Sequence, residues 1–274
     1  MPDWDEEIRV ATQAAREAAA MASAMQATAT VSTKTDTSIV TEADLACDQH
    51  LRHRIAQAFP EDGLLSEESA DDQQRLDQQR VWLIDPIDGT RGFAAGESCW
   101  AIHLALAVQG RAVLGVVAIP ALNRLYWGIP GAGAWYADGN AAAQSIQATP
   151  GPAILALSTG QREGPHPALA QLPAVQRLYT HSVGYKAHLL LTQAAGWCVY
   201  PRPIYDWDAA APAALIQGAG GMASCFDGSP LTFNTPQASS PGLILSTRQD
   251  GSNGFDAPIS PDGYLHERSS APKP

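Results

Sequence analysis

The sequence predicts a layered α+β fold, helices packed on sheets in two lobes that share one site. Three observations predict it. Between residues 101 and 129 a succession of β-branched and aromatic runs, joined by turns as short as Gln109-Gly110, reads as an antiparallel meander. From residue 154 onward strand-like and helix-like runs alternate, which implies α/β layering. A length of 274 residues buries a sizeable core and accommodates two lobes of ordinary size.

The elements follow in order. Trp4 to about Met25 is Ala-rich, with Trp4, Ile8, Ala11, Ala15 and Ala18 at near-helical spacing, so an amphipathic packing helix is expected. Residues 31 to 40, VSTKTDTSIV, suit a loop or short strand. Thr41 to Asp44 spells T-E-A-D, a capping-box signature, and Leu45, Leu51 and Ile55 supply an apolar stripe before Pro60 stops the helix. Locally, Asp44 could be no more than the capping acid. His50 and His53 lie i and i+3 on this helix, but with no third ligand nearby they read as surface residues.

Leu64 and Leu65 lead into S-E-E-S, where Glu67 and Glu68 sit on a loop. Next comes WLIDPIDGTRGF, residues 82 to 93, in which a buried strand, Val81 to Ile84, runs into two aspartates three apart, a turn-stiffening proline, and Gly89-Thr90. Strands follow at 101–108, 112–119 and 124–129, and the turn-rich segment SIQATPGPA at 145–153 separates the lobes. Then come ILALS, a helix over 184–195, WCVYP, a helix over 207–217, MASCF and GLILS. The expected division is 1–147 for the first lobe, carrying most of the site, 148–249 for the second lobe, closing it, and 250–274 for an irregular tail.

Composition excludes several functions. There are 17 Lys and Arg against 28 Asp and Glu, a net charge of -11, and no basic cluster, so polymeric nucleic acid is not an expected partner. A small anionic substrate would need bound cations or local amide dipoles to hold it. Cys47, Cys99, Cys198 and Cys225 lie far apart without a C-x-x-C pair, which fits reduced thiols in a cytoplasmic protein. The acidic start MPDWDEEIRV lacks the pattern of an export signal, and no apolar stretch has membrane-spanning length, so membrane insertion is not expected.

Spacing separates three chemistries for the Asp85–Thr90 loop. A calcium loop with Gly89 at its sixth position needs oxygen ligands at 84, 86 and 88 and a Glu at 95, but finds Ile84, Pro86 and Ala95. An aspartyl phosphatase of the haloacid-dehalogenase type needs its nucleophile two residues before the second acid, and Pro86 stands there. Metal-assisted hydrolysis by water remains.

D-P-I-D-G-T at 85–90, E-E-S at 67–69, T-E-A-D at 41–44 and W-D-A-A-A-P at 207–212 with A-G-G at 219–221 occur in the order found in the inositol monophosphatase superfamily of lithium-sensitive phosphatases, which the chain resembles over roughly residues 5 to 247. The resemblance implies an α/β/α/β/α sandwich. It also implies that Glu67, Asp85, Asp88, Asp208 and the carbonyl of Ile87 hold two or three Mg²⁺, an all-oxygen set suited to a hard cation. Asp44 and Thr90 look like the dyad that, with Glu67, orients and deprotonates the attacking water, and that role then outweighs capping for Asp44. Backbone N–H groups of Gly89 and Thr90 are expected to hold phosphate oxygens.

Weaker motifs bear on the substrate. L-L-S-E-E-S, D-G-T-R-G-F, S-V-G-Y-K at 182–186, V-Y-P-R at 199–202 and D-G-S-P-L-T-F-N at 227–234 resemble bacterial CysQ-type 3′(2′),5′-bisphosphate nucleotidases, which act on adenosine 3′,5′-bisphosphate from sulfate assimilation. That resemblance implies a substrate-binding role for Gly184, Lys186, Arg202 and Asp208, with Lys186 and Arg202 receiving the second phosphate or lying beside the nucleotide. An ordinary surface arginine is the plain alternative for Arg202. Two departures stand out: S-V-G-Y-K in place of G-S-S-L-K, and Pro212 closing W-D-A-A-A-P, which is expected to alter the following turn. Trp100, Trp197 and Trp207 could stack a base, though large rings more often serve a core. The alternatives are an inositol 1-phosphate or fructose 1,6-bisphosphate phosphatase using the same metals, and a non-catalytic metal- or nucleotide-binding protein. Homodimerisation is a family habit only.

Overall fold

A computed structural model of the chain describes residues 4–34, 38–170 and 176–247. Helix α1 (Asp5–Met25) precedes the antiparallel pair β1 (Val31–Thr33) and β2 (Ile39–Thr41), helix α2 (Glu42–Ala58) and strand β3 (Gly63–Ser66). Strand β4 (Arg80–Asp88) leads through α3 (Thr90–Ala94) to β5 (Ala101–Val108), β6 (Arg111–Ile119), β7 (Arg124–Ile129), β8 (Gly133–Asp138) and β9 (Gln144–Ile146). Next come β10 (Ile154–Ser158), α4 (Gly160–Glu163), α5 (Pro167–Ala170), β11 (Gln176–Thr180), α6 (Val183–Leu191) and β12 (Trp197–Tyr200). The last elements are β13 (Ile204–Tyr205), α7 (Asp206–Gly218), β14 (Met222–Ser224), β15 (Ser239–Ser240) and β16 (Leu243–Ser246). The irregular tail expected at 250–274 lies outside the described residues.

Strands β3 to β9 form a seven-stranded sheet in sequence order, parallel between β3 and β4 and antiparallel elsewhere. Its two faces separate by the period of two along a strand. Trp82, Ile84, Leu104, Leu106 and Val116 meet the alanine-rich face of α1 and the buried Cys47, Leu51 and Ile55 of α2. Val81, Leu83, Ala105, Ala107 and Val117 meet α6 and α7 on the other side. Both faces are therefore covered, which is why these strands read as continuous apolar runs. Beyond α6 and α7 stands a mixed five-stranded sheet ordered β11-β10-β12-β16-β14, and its far side packs Leu155, Leu157, Trp197 and Val199 against Ala168 and Leu169 of α5. The layers are thus α/β/α/β/α, as expected.

One apolar cluster runs from Leu65 through α7 to Leu245 and so crosses residue 147. We retain 1–147 and 148–249 as a proposed division of the chain, with a shared core between them. Helix α7 comes close to the first sheet because that interface is built of small residues. A Cβ on Gly115 would lie 2.3 Å from the carbonyl oxygen of Ala211, and one on Gly128 would lie 2.5 Å from the Cα of Leu215.

Several local expectations change. Leu45 faces solvent, and Ala43 and Cys47 take its place in the buried stripe of α2. Strands β8, β9 and β11 were not anticipated, being short or polar at alternate positions. Helix α6 ends at Leu191 because Gln193 adopts a positive φ of 60°. Helix α7 continues through Pro212 to Gly218, so the expected change of turn does not occur; the proline only withholds a donor from the carbonyl of Asp208.

Candidate active site

Asp85 and Asp88 reach one place because β4 is irregular between them. Residues three apart on a regular strand point to opposite faces. Here the pairing with β5 shifts, Asp85 facing His103 and Asp88 facing Ala101, and this bulge turns both carboxylates the same way. Pro86, which has no N–H, fits such an interruption. Gly89 follows with φ 93°, a left-handed conformation that glycine adopts freely, and a Cβ there would press on His181 at 3.3 Å.

Asp44 serves two purposes at once. Its Oδ2 accepts from the Thr41 backbone N–H at 2.8 Å and the Thr41 hydroxyl at 2.5 Å, completing the capping box of α2. Its Oδ1 accepts from Thr90 Oγ1 at 3.1 Å, and the same hydroxyl lies 3.0 Å from the carbonyl oxygen of Ile87. Desolvation outweighs these hydrogen bonds and raises the Asp44 carboxyl above its ordinary range.

The acids crowd one another. Asp85 is fully buried, its Oδ1 accepting from the Ile87 N–H at 3.1 Å while Oδ2 meets no donor, and its carboxyl is in contact with that of Asp208. Desolvation, then the charges of Glu67, Asp88 and Asp208, push Asp85 well above the usual carboxylate range. Desolvation, then Asp88 and Glu67, do the same to Asp208 at the start of α7. Glu67 is pushed up to about 7 by desolvation and by the charges of Glu68 and Asp44, against the pull of Lys34, whose ammonium stands 3.3 Å from Glu67 and 2.7 Å from Glu68.

Asp88 is the exception. Burial would raise it, but the imidazole of His103, the Ser182 hydroxyl and the charge of Lys186 together hold it below its ordinary value. Oδ2 accepts from Ser182 Oγ at 2.6 Å and from the Gly184 N–H at 3.0 Å, with His103 Nε2 at 3.2 Å. Ser182 is also the N-cap of α6, so Asp88 is tied to that helix terminus.

This arrangement corrects two expectations about substrate contacts, those for Gly184 and Lys186. Gly184 spends its N–H on Asp88, and a Cβ there would lie 2.3 Å from His103 Nε2, so it serves the carboxylate. Lys186 has no exposed surface: its ammonium donates to the carbonyls of His181 and Ser182 and to the Tyr200 hydroxyl, at 3.2, 2.9 and 2.8 Å, and cannot meet a substrate phosphate. Arg202 is exposed and lies outside the lining of the cleft described below. Trp100 and Trp197 are core residues, and half-buried Trp207 stacks on Tyr205 at 4.6 Å between centroids. His53 is exposed and His50 contacts Glu17 at 2.9 Å, consistent with their reading as surface groups.

His103 and Ser182 were missed. Ligand atoms of Asp85, Asp88 and His103 lie within 4.8 Å of one another. Only the alternation of the AIHLALAV strand, which gives His103 a buried position opposite Asp85, hinted at the imidazole. The residues fit a hard divalent cation: the carboxylates of Glu67, Asp85, Asp88 and Asp208 and the Ile87 carbonyl are oxygen donors, and the buried Oδ2 of Asp85, which meets no donor, on a carboxyl pressed against Asp208, asks for a positive charge. His103, directed at Asp88, suits an orienting role better than that of a ligand for such an ion.

Glu67, Gly89 and Thr90 open onto a cleft of about 900 Å³, walled on its other side by Thr159, Arg162 and His181. Residues 3–249 match the inositol monophosphatase family. The chain belongs to that family. A 3′-phosphoadenosine 5′-phosphate phosphatase of Mycobacterium bovis is 31% identical over 208 residues, 74% of this chain and 75% of the relative. A histidinol-phosphatase of Chlorobaculum parvum is 32% identical over 200 residues, 72% of this chain and 75% of the relative. Among solved structures, an inositol monophosphatase from Zymomonas mobilis superposes with a TM-score of 0.73 at 26% identity, covering 90% of this chain and 94% of that one. Inositol monophosphatase family membership makes the protein a phosphatase, and its relatives differ in the ester they cleave.

Proposed function

We propose that the protein is a Mg²⁺-dependent 3′(2′),5′-bisphosphate nucleotidase that hydrolyses adenosine 3′,5′-bisphosphate to AMP and phosphate. The observation that carries the hydrolytic part is the Thr90 hydroxyl, held between Asp44 Oδ1 and the Ile87 carbonyl at the edge of the carboxylate cluster. Bound Mg²⁺ would lower the pKa of water and stabilise charge on the entering and leaving oxygens. Asp44 Oδ1 takes the Thr90 proton while Thr90 Oγ1 takes one from the attacking water, and the raised carboxyl of Asp44 makes that transfer less uphill. Backbone N–H groups at Gly89 and Thr90 orient the phosphate. Asp88 is kept ionised and aimed by Ser182, Gly184 and His103, so it stays available as a ligand near neutral pH.

The nucleotide part is supported by the similarity to the mycobacterial enzyme and by a cleft large enough for a ligand of nucleotide size. The similarity to a histidinol-phosphatase favours one competing ester. Phosphate release from adenosine 3′,5′-bisphosphate, histidinol phosphate and inositol 1-phosphate, with and without Mg²⁺, tests the reading, with Asp88→Asn as control. We expect preference for the nucleotide and loss of release in the control. Preference for either other ester would overturn the nucleotide assignment, and Mg²⁺-independent release would overturn the mechanism.

A further inference from the structure

In an acidic chain, guanidinium groups tend to close on carboxylates, and half of the described ones do so here. Arg54 meets Glu17, Arg75 meets Asp71, Arg80 meets Asp62 and Arg124 meets Asp138, all within 3.1 Å. Arg91 and Arg162 do not. Both side chains are exposed, neither makes an ion pair or side-chain hydrogen bond among the described residues, and both line the cleft that holds Glu67, Gly89 and Thr90. They come from different parts of the chain. Arg91 stands on α3, directly after the phosphate-orienting pair Gly89-Thr90, and Arg162 stands on α4, just past the C-terminal end of β10. The mouths of parallel strands such as β10 and β11 are places where α/β folds take ligands.

We propose that Arg91 and Arg162 form a second anion subsite, which selects substrates bearing a further phosphate over monophosphates. The proposal rests on the phosphatase reading of the neighbouring carboxylates. A guanidinium binds phosphate with paired donors, and two of them offset much of the repulsion that a doubly phosphorylated ligand meets in a protein of net charge -11. The same pair disfavours a substrate whose leaving group carries an ammonium, as histidinol phosphate does. The role expected of Lys186 and Arg202 passes to two residues that the cleft exposes.

The test measures kcat/KM for Arg91→Ala, Arg162→Ala, the double variant and Arg162→Lys on two matched pairs. These are adenosine 3′,5′-bisphosphate with adenosine 3′-monophosphate, and fructose 1,6-bisphosphate with fructose 1-phosphate. The bisphosphate-to-monophosphate ratio is expected to fall about tenfold for each alanine, mainly through KM, with partial recovery in Arg162→Lys. Raising ionic strength should lower the wild-type ratio as well. Ratios that stay within about twofold in every variant would overturn the subsite. Wild-type turnover of the fructose pair alone would overturn the nucleotide assignment, and the fructose ratio would then decide the arginines. If no phosphate is released from any ester, the phosphatase reading fails. Calorimetric binding of adenosine 3′,5′-bisphosphate to wild type and double variant then decides: loss in the variant upholds the subsite, and equal affinity overturns it.

Discussion

At the scale of single residues, the site is a set of groups whose protonation the fold has altered. Thr90 touches only Asp44 and the Ile87 carbonyl with its hydroxyl, so Thr90→Val should leave the melting temperature within a few degrees of wild type while lowering kcat by about 10²-fold. A large fall in melting temperature would instead assign Thr90 to the framework. Glu67 supplies a pH prediction. Its carboxyl is raised to about 7 in the folded protein from 4.5 in the free side chain, so without metal the folded state favours the protonated form. That contribution to stability is complete below about pH 4.5 and is lost as pH rises through about 7. Asp85 and Asp208, also raised, act in the same direction, whereas Asp88, which is lowered, favours folding above its unfolded pKa. In chelator, the melting temperature should fall between about pH 5 and pH 8, and Glu67→Gln should flatten the fall. Millimolar Mg²⁺ should raise it, more at pH 8 than at pH 5. A melting temperature indifferent to Mg²⁺ would count against the cation reading.

At the scale of elements, three pieces of backbone bring the acids together: the bulge in β4, the capped start of α2 and the seat of α7 on the first sheet. The seat depends on glycine. Gly115→Ala places a methyl 2.3 Å from the Ala211 carbonyl, which must push α7 and with it Asp208 outward. We expect a cost of about 1–3 kcal/mol and a weaker Mg²⁺ response in thermal shift, measured beside Ala112→Gly as a control on the same strand. An unchanged Mg²⁺ midpoint would show that Asp208 does not depend on this contact. A polar strut holds the same helix start from the other side. Arg75 bonds Asp71, the Asn234 side chain and the Thr235 carbonyl, and the Asn234 N–H donates to Asp206 at 2.8 Å. Thus Asn234, the last residue of D-G-S-P-L-T-F-N, secures the first turn of α7 from outside the cleft lining. The motif itself was visible in the sequence. Its purpose was not, because Arg75 is 159 residues away.

At the scale of the whole molecule, the apolar cluster from Leu65 to Leu245 joins the two sheets through α6 and α7. A shared core couples the two halves, so calorimetry should find one unfolding transition with matching calorimetric and van't Hoff enthalpies. Two resolved transitions would show that 1–147 and 148–249 fold separately. The sequence by itself determined the layered class, through continuous apolar runs for the strands and helical spacing for the helices, and the resemblance carried by D-P-I-D-G-T, E-E-S and T-E-A-D pointed to the acids. Read locally, without that resemblance, Asp44 is a capping acid and Glu67 a loop residue. The tertiary structure alone decided which residues turn toward the cleft. Gly184 and Lys186 looked like substrate contacts in the sequence, yet packing turns one onto Asp88 and buries the other under main-chain carbonyls. Arg91 enters the sequence reading only as one letter of D-G-T-R-G-F and Arg162 not at all, and 71 positions separate them. Whether a charged side chain is free or already paired depends on its neighbours in space, and only the folded chain supplies those.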